Sequence, residues 1–290
     1  MDFFGPMIVS FLLLIIFNSL AGVEAQGFSF CGDYNTTRSS YRRNLDSVLS
    51  SLPADIAGAG FFSSSAGQDP DRVTATALCR ADVQSGDCRD CVGNATSELV
   101  AACPFNGEAI SYRNLCVVRF SNRSIAGALA VSPGILLRNN ENASDAQRFS
   151  RDLGSLLDDL RALAAGGGPL LKAAAGNRTT GPGNATVYAL VQCTPDISAG
   201  DCDLCLLNAT QRIPAFAPVG FRALFPSCNL RYEATPFFNL SRIQEVETLS
   251  VSPSQSPAGA PPPPSSPSPT PTQLTPGPQT GAPPPPPPGL

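Results

Sequence analysis

The stretch Cys193-Thr-Pro-Asp-Ile-Ser-Ala-Gly-Asp-Cys202-Asp-Leu-Cys205 decides how the rest of the chain is read, because it occurs twice. Its echo runs from Cys79 to Cys91. Both copies read C-x(8)-C-x(2)-C, both place Gly-Asp before the second cysteine (Gly86-Asp87 and Gly200-Asp201), and both are followed by Asn-Ala-Thr. The offset is constant, since 193 − 79, 202 − 88 and 205 − 91 all equal 114. A constant offset of this kind marks a tandem repeat.

The compartment decides what the cysteines mean. Met7 to Phe17 is a short apolar run, and Val23-Glu24-Ala25 offers small residues at the usual cleavage positions, so residues 1–25 read as a secretory signal peptide. Asp2 stands where a basic residue is usual, and a retained signal anchor is the alternative. In an oxidising compartment ten cysteines at repeated spacings are a disulfide framework, whereas in the cytosol the same C-x(2)-C pairs would suggest zinc or redox chemistry. Eight N-x-S/T sequons point to secretion: Asn35, Asn94, Asn122, Asn142, Asn177, Asn184, Asn208 and Asn239. The formal charge of −4 becomes −2 once Asp2 and Glu24 leave with the signal. So weak a field gives no electrostatic case for nucleic acid or an anionic membrane as partner.

Outward from the two motifs, hydrophobic spacing repeats in the same order. Leu45, Val48, Leu49 and Leu52 predict an amphipathic helix over 40–52, stopped by Pro53, and the small residues from Ala57 to Gly67 read as a loop. Residues 72–78 read as a strand entering Cys79, and residues 86–102 as a second helix with Asp87 as its N-cap. Cys116 to Phe120 is a further strand. In the second unit Phe149, Leu153, Leu156, Leu157 and Leu160 form a helical stripe, ended by Gly166-Gly-Gly-Pro169. Residues 186–191 form the strand entering Cys193, 204–213 continue as helix, and 221–225 with 228–232 supply closing strands. Two helices and several strands per unit give an α+β fold with helices on an antiparallel sheet. The expected division is signal 1–25, domain 1 at 27–128, domain 2 at 131–242 and a proline-rich tail at 251–290. Seventeen of the 29 prolines fall between Pro253 and Pro288 with no charge and no aromatic, so this tail is disordered and favours extended polyproline II. It reads either as a hydroxylated and O-glycosylated stalk or as an unmodified tail, and no apolar anchor follows it.

The doubled motif, Val187-Tyr-Ala-Leu-Val-Gln192 before its second copy and Pro226-Ser-Cys-Asn-Leu-Arg-Tyr-Glu233 after it, resembles the ginkbilobin-homologous, or stress-antifungal, domain of land plants. That domain occurs in tandem in cysteine-rich repeat secretory proteins and in the ectodomains of cysteine-rich receptor-like kinases. The resemblance implies two helices on a five-stranded antiparallel sheet in each unit. It also implies the bridges Cys31–Cys103, Cys79–Cys88 and Cys91–Cys116 in domain 1, and Cys193–Cys202 and Cys205–Cys228 in domain 2. The family's remaining bridge is missing from domain 2, because Ile213-Pro-Ala-Phe216 replaces Ile-Pro-x-Cys-Cys and the first cysteine is absent too.

Chemistry is sparse. The chain has no histidine, which removes the commonest general base and the usual Ser-His and Cys-His arrangements. Asp158 and Asp159 are adjacent on a helix and point apart, as solvated residues do. No catalytic residue, metal site or cofactor is expected. The resemblance instead implies a mannose site made by an Asn beside the first cysteine, an Arg six before the last cysteine and a Glu five after it. Domain 1 holds Gly32, Ile110 and Ser121 there and has lost all three. Domain 2 keeps Arg222 and Glu233, with Asn139 or Asn140 near the third position. An amide, a guanidinium and a carboxylate together match sugar hydroxyls. The alternative is an ion pair between Arg222 and Glu233 on adjacent strands. The expected function is therefore non-enzymatic recognition in the plant apoplast, with carbohydrate binding through domain 2, in a setting of defence or stress signalling; the alternatives are a protein-interaction ectodomain related to, or truncated from, a cysteine-rich receptor-like kinase, and a wall-attached structural protein. The expected partner is a cell-wall or microbial glycan or a receptor ectodomain, with wall association through the tail as a further reading.

Overall fold

The computed structural model describes residues 27–251 except Ala57, Ala59 and residues 181–184, so the signal segment, Asn184 and nearly all of the proline-rich tail lie outside the described residues. In domain 1 the strands are β1 (Phe28–Cys31), β2 (Phe61–Ala66), β3 (Val73–Cys79), β4 (Glu108–Tyr112) and β5 (Cys116–Ser121). They form one antiparallel sheet in the order β1-β4-β5-β3-β2, with helices α1 (Ser39–Asp55) and α2 (Ser85–Ala102) on one face. Domain 2 repeats this order as β6-β9-β10-β8-β7. Its strands are β6 (Ile135–Arg138), β7 (Lys172–Thr180), β8 (Ala185–Cys193), β9 (Phe221–Leu224) and β10 (Cys228–Glu233). Its helices are α3 (Ala146–Ala165) and α4 (Ala199–Gln211), and α5 (Leu240–Val251) follows.

Each core is the apolar stripe of the helices laid on alternate residues of the sheet. Leu45, Val48, Leu52, Val92 and Leu99 meet Val73, Ala75, Val118 and Phe120 in domain 1, all essentially dry. Leu153, Leu157, Leu160 and Leu206 meet Val187, Val191, Leu230 and Tyr232 in domain 2. Each such side chain contributes on the order of 1.5–3 kcal/mol through burial. Disulfides then staple the helices to the sheets. Cys79–Cys88 and Cys193–Cys202 tie β3 to α2 and β8 to α4, while Cys91–Cys116 and Cys205–Cys228 tie the same helices to β5 and β10. Cys31–Cys103 spans the end of β1 and the end of α2 in domain 1 alone.

Three local expectations are corrected. Pro53 lies inside α1, which runs on to Asp55. Only the bond to the Leu49 carbonyl needs the missing N–H, and the Ile56 N–H still closes on Leu52 O at 3.1 Å. The stretch from Ala57 to Gly67 is not all loop, because Phe61–Ala66 is the edge strand β2, paired with β3 from Phe61↔Leu78 to Ala66↔Val73. Its serines carry little strand signal, and the partner strand supplies what propensity does not. Asp87 is not the cap of α2: Gln84 holds that position without a side-chain bond, and Asp87 sits in the first turn, where a carboxylate favours the helix dipole. The repeat differs here, since Ser198 caps α4 by accepting the Asp201 N–H at 3.0 Å.

The lost bridge of domain 2 has a replacement. Arg138 ends β6 where Cys31 ends β1, and its guanidinium lies over the Phe216 ring, 5.0 Å from the centroid. The position of Cys31 carries a cation here, and that cation meets an aromatic face beside Ala217, the residue 114 positions after Cys103.

The two domains meet through the sheet faces turned away from their helices. Ile110, Tyr112 and Val117 of domain 1 pack with Ile135, Leu137 and Leu224 of domain 2. Beside them, the buried Gln192 amide reaches from β8 into domain 1, donating to Cys79 O at 2.9 Å and accepting the Ala81 N–H at 3.1 Å. Arg80 and Asp82 form a tight pair, and Asp82 also accepts the Asn239 N–H at 3.2 Å. The linker is fixed as well: Tyr112 donates to Pro133 O, Ser227 Oγ accepts the Ala130 N–H, and Asp196 accepts the Gly127 N–H.

Candidate functional site

Strand register makes the two domains comparable residue by residue. In domain 1, Ile110 faces both Phe30 and Arg119, Glu108 faces Ser121, and the Gly32 N–H bonds Glu108 O. In domain 2, Arg222 faces both Leu137 and Arg231, and the Asn139 N–H bonds Gly220 O. Gly32 thus corresponds to Asn139, Ile110 to Arg222 and Ser121 to Glu233. Of the two candidate asparagines, Asn139 is the one in register.

The domain 2 candidates are close but engaged. Glu233 accepts from Arg231 Nε at 2.9 Å, and Asn139 Nδ2 lies 3.5 Å from its other oxygen. Arg222 takes no ion pair with Glu233, contrary to the alternative drawn from adjacency. The residue opposite Arg222 in the register is Arg231, which holds the carboxylate itself. Arg222 instead crosses to domain 1, where its Nη2 donates to the Asn114 carbonyl oxygen at 3.1 Å and to Asn114 Oδ1 at 2.9 Å. Burial, then the cations Arg231 and Arg80, pull its pKa down to about 10 against the opposing pull of Glu233, so it stays charged at neutral pH. The space around it is about 20 Å³, room for a water at most. Asn140 is exposed beside this group.

Domain 1 shows the reverse. Gly32, Ile110 and Ser121 line an open cavity of about 490 Å³ between the outer face of its sheet and the interdomain linker. The carboxylate lost at Ser121 reappears on the opposite residue, Glu108, which accepts from Ser121 Oγ at 3.1 Å and from Arg123 at 3.1–3.2 Å. The exchange is steric. A Cβ at Gly32 would collide with the Glu108 side chain, and a Cβ at Gly220 would collide with Glu233 and Asn139. Each domain therefore carries one carboxylate, on opposite members of a cross-strand pair, with glycine where room is needed. The sequence pattern of lost residues hid this, because the replacement sits on the neighbouring strand. A signal was present nonetheless in Glu108 and Arg119, which lie two residues before Ile110 and two before Ser121.

The remaining candidates are placed as follows. All ten cysteines are in disulfides, so none is available as nucleophile or metal ligand. Asp158 and Asp159 diverge, one to Arg161 and the other to Arg178. Among the described sequons Asn35, Asn94, Asn142, Asn177 and Asn239 are exposed, while Asn122 and Asn208 are half-buried. No described helix is long and apolar enough to cross a membrane.

Two disulfide-stapled α+β modules joined sheet to sheet define a class of tandem cysteine-rich domain proteins. The chain belongs to the salt stress response/antifungal family, which matches residues 30–123 and again 137–235. Cysteine-rich receptor-like protein kinase 25 of Arabidopsis thaliana is 35% identical over 254 residues, covering 84% of this chain and 36% of the relative. Cysteine-rich receptor-like protein kinase 29 of the same plant is 34% identical over 255 residues, covering 84% and 37%. The chain thus spans little more than a third of the curated relatives it matches. Its fold is that of the tandem DUF26 ectodomain of the Arabidopsis thaliana cysteine-rich receptor-like protein PDLP8, at a TM-score of 0.61 and 21% identity over 72% of this chain and 97% of that one. The PDLP5 ectodomain gives 0.55 at 22% identity, covering 71% and 97%.

Proposed function

We propose that the chain is a secreted, glycosylated recognition ectodomain that binds its partner without turning it over, in a setting of defence or stress signalling. The observation that carries this reading is the joint between the domains. The Gln192 amide satisfies two backbone groups of the other domain in a dry environment, and Arg222 adds a charged bond across the same joint. These bonds are directional and add to the apolar cluster across the joint, so surface residues of both domains are held in fixed relation. A preorganised composite surface is what recognition rewards, because ordering need not be supplied on binding. Relatives named as receptor-like kinases, and neighbours described as ectodomains, support the same reading.

A lectin reading of domain 2 rests on the approach of Asn139 to Glu233. Against it stands Arg222, which would have to leave Asn114 to meet a sugar. The deciding experiment applies the secreted full-length protein and its Arg222→Ala variant to a mannose-containing glycan array. Equal, background-level signals are expected from both. Mannose binding that disappears in Arg222→Ala would overturn the ectodomain reading in favour of a lectin.

A further inference from the structure

We propose that the cavity of domain 1 is a binding site for a hydroxylated ring bearing one carboxylate, the chemistry of a hexuronic acid. The proposal concerns domain 1 alone and goes beyond the ectodomain reading, which stands on the joint.

The volume, about 490 Å³, suits a small ligand of one or two rings. Its walls are mostly apolar, with Phe30, Ile110, Ile125, Leu129 and Pro133 around a few charged groups. Phe30 is 38% exposed and gives the cavity an aromatic wall for the C–H side of a sugar. The linker forming one wall is fixed to domain 2 through Ser227 and Asp196, so the cavity does not depend on a ligand to take shape.

The charged groups are unequally occupied. Glu108 is satisfied by Arg123 and Ser121, which fixes its orientation and leaves lone pairs to accept ligand hydroxyls. Arg119, on the outer face of β5 opposite Ile110, is half-buried and has neither a hydrogen bond nor an ion pair among the described residues. Burial lowers its pKa, with the Glu108 charge opposing, yet a guanidinium stays protonated at neutral pH. A half-desolvated cation without a partner is costly, and a carboxylate is the group whose two oxygens match its fork. Asp33 also lines the cavity, so the four charged side chains sum to zero. The preference for an anion therefore rests on the Arg119 fork and not on the net charge of the cavity, and a single carboxylate meets less repulsion from Glu108 and Asp33 than a phosphate would. Neutral hexoses would offer Arg119 hydroxyl acceptors but no counter-charge.

The test titrates the secreted full-length protein with D-galacturonate, D-glucuronate, D-glucose and inorganic phosphate, by calorimetry and ligand-observed NMR. Uronates are expected to bind at least about tenfold more tightly than glucose, the factor that a single hydrogen bond to a charged group supplies. Arg119→Leu should remove that preference, and Arg119→Lys should keep part of it, since the charge remains without the fork. Thermal melts of both variants separate lost binding from lost folding, and if Arg119→Leu fails to fold, Arg119→Lys carries the test. Equal binding of uronate and glucose, uronate binding unaffected by either variant, no uronate binding, or tighter binding of phosphate would each overturn the proposal.

Discussion

Domains 1 and 2 share one topology and one register, yet they spend their polar residues differently. Domain 1 has three disulfides, an open cavity and an Arg119 with no ion pair among the described residues. Domain 2 has two disulfides, and its Arg222 is committed to the joint with domain 1. Of the residues that look like a ligand site in sequence, Arg222 therefore helps to hold the domains together, while Glu233 and Asn139 stay engaged within domain 2. The residues that look like a vanished site line the cavity. Duplication freed the two copies to divide the work, because a surface buried between domains cannot also receive a ligand.

The largest effect that would break the comparison is loss of Cys31–Cys103. The Cys31→Ala/Cys103→Ala double variant should destabilise domain 1 by about 2–5 kcal/mol, read from urea unfolding with the other bridges intact. A loss no larger than that of an exposed substitution would mean that the third disulfide is dispensable in both domains. Next comes Gln192→Leu, which leaves Cys79 O and the Ala81 N–H unpartnered in the joint. Because both groups recover water as the joint opens, the loss stays at about 1–3 kcal/mol, and small-angle scattering should show a more extended particle with faster proteolysis in the 122–134 linker. A compact, equally resistant variant would show that the apolar cluster around Tyr112 and Leu224, with the Arg222 and Asp82 contacts, holds the joint without Gln192. The smallest effect is expected from Arg138→Ala, which removes the cation over Phe216 and should cost about 0.5–1 kcal/mol. A cost as large as that of the missing disulfide would make the two staples equivalent and erase the asymmetry.

The helices were legible because long apolar stripes such as Phe149 to Leu160 have a period no strand can use. Edge strands were not: β2 is rich in serine, and its conformation is set by hydrogen bonds to β3 rather than by its own side chains. Pro53 shows the same limit, since its effect depended on which carbonyl was left without a donor. For the candidate site, counting from the cysteines located Arg222 and Glu233 but could not say where their side chains turn. Arg222 meets Asn114, 108 positions away, and no local pattern encodes that contact.

The amino-acid sequence by itself determined the duplication, the α+β character of each unit and the family, because cysteine spacing and hydrophobic period act over short distances. Only the tertiary structure decided which copy keeps an open site. That choice depends on cross-strand exchange between Glu108 and Ser121, on the space left at Gly32 and Gly220, and on which sheet faces are sealed against each other. These are relations among residues far apart in the chain, fixed only when register and packing bring them together.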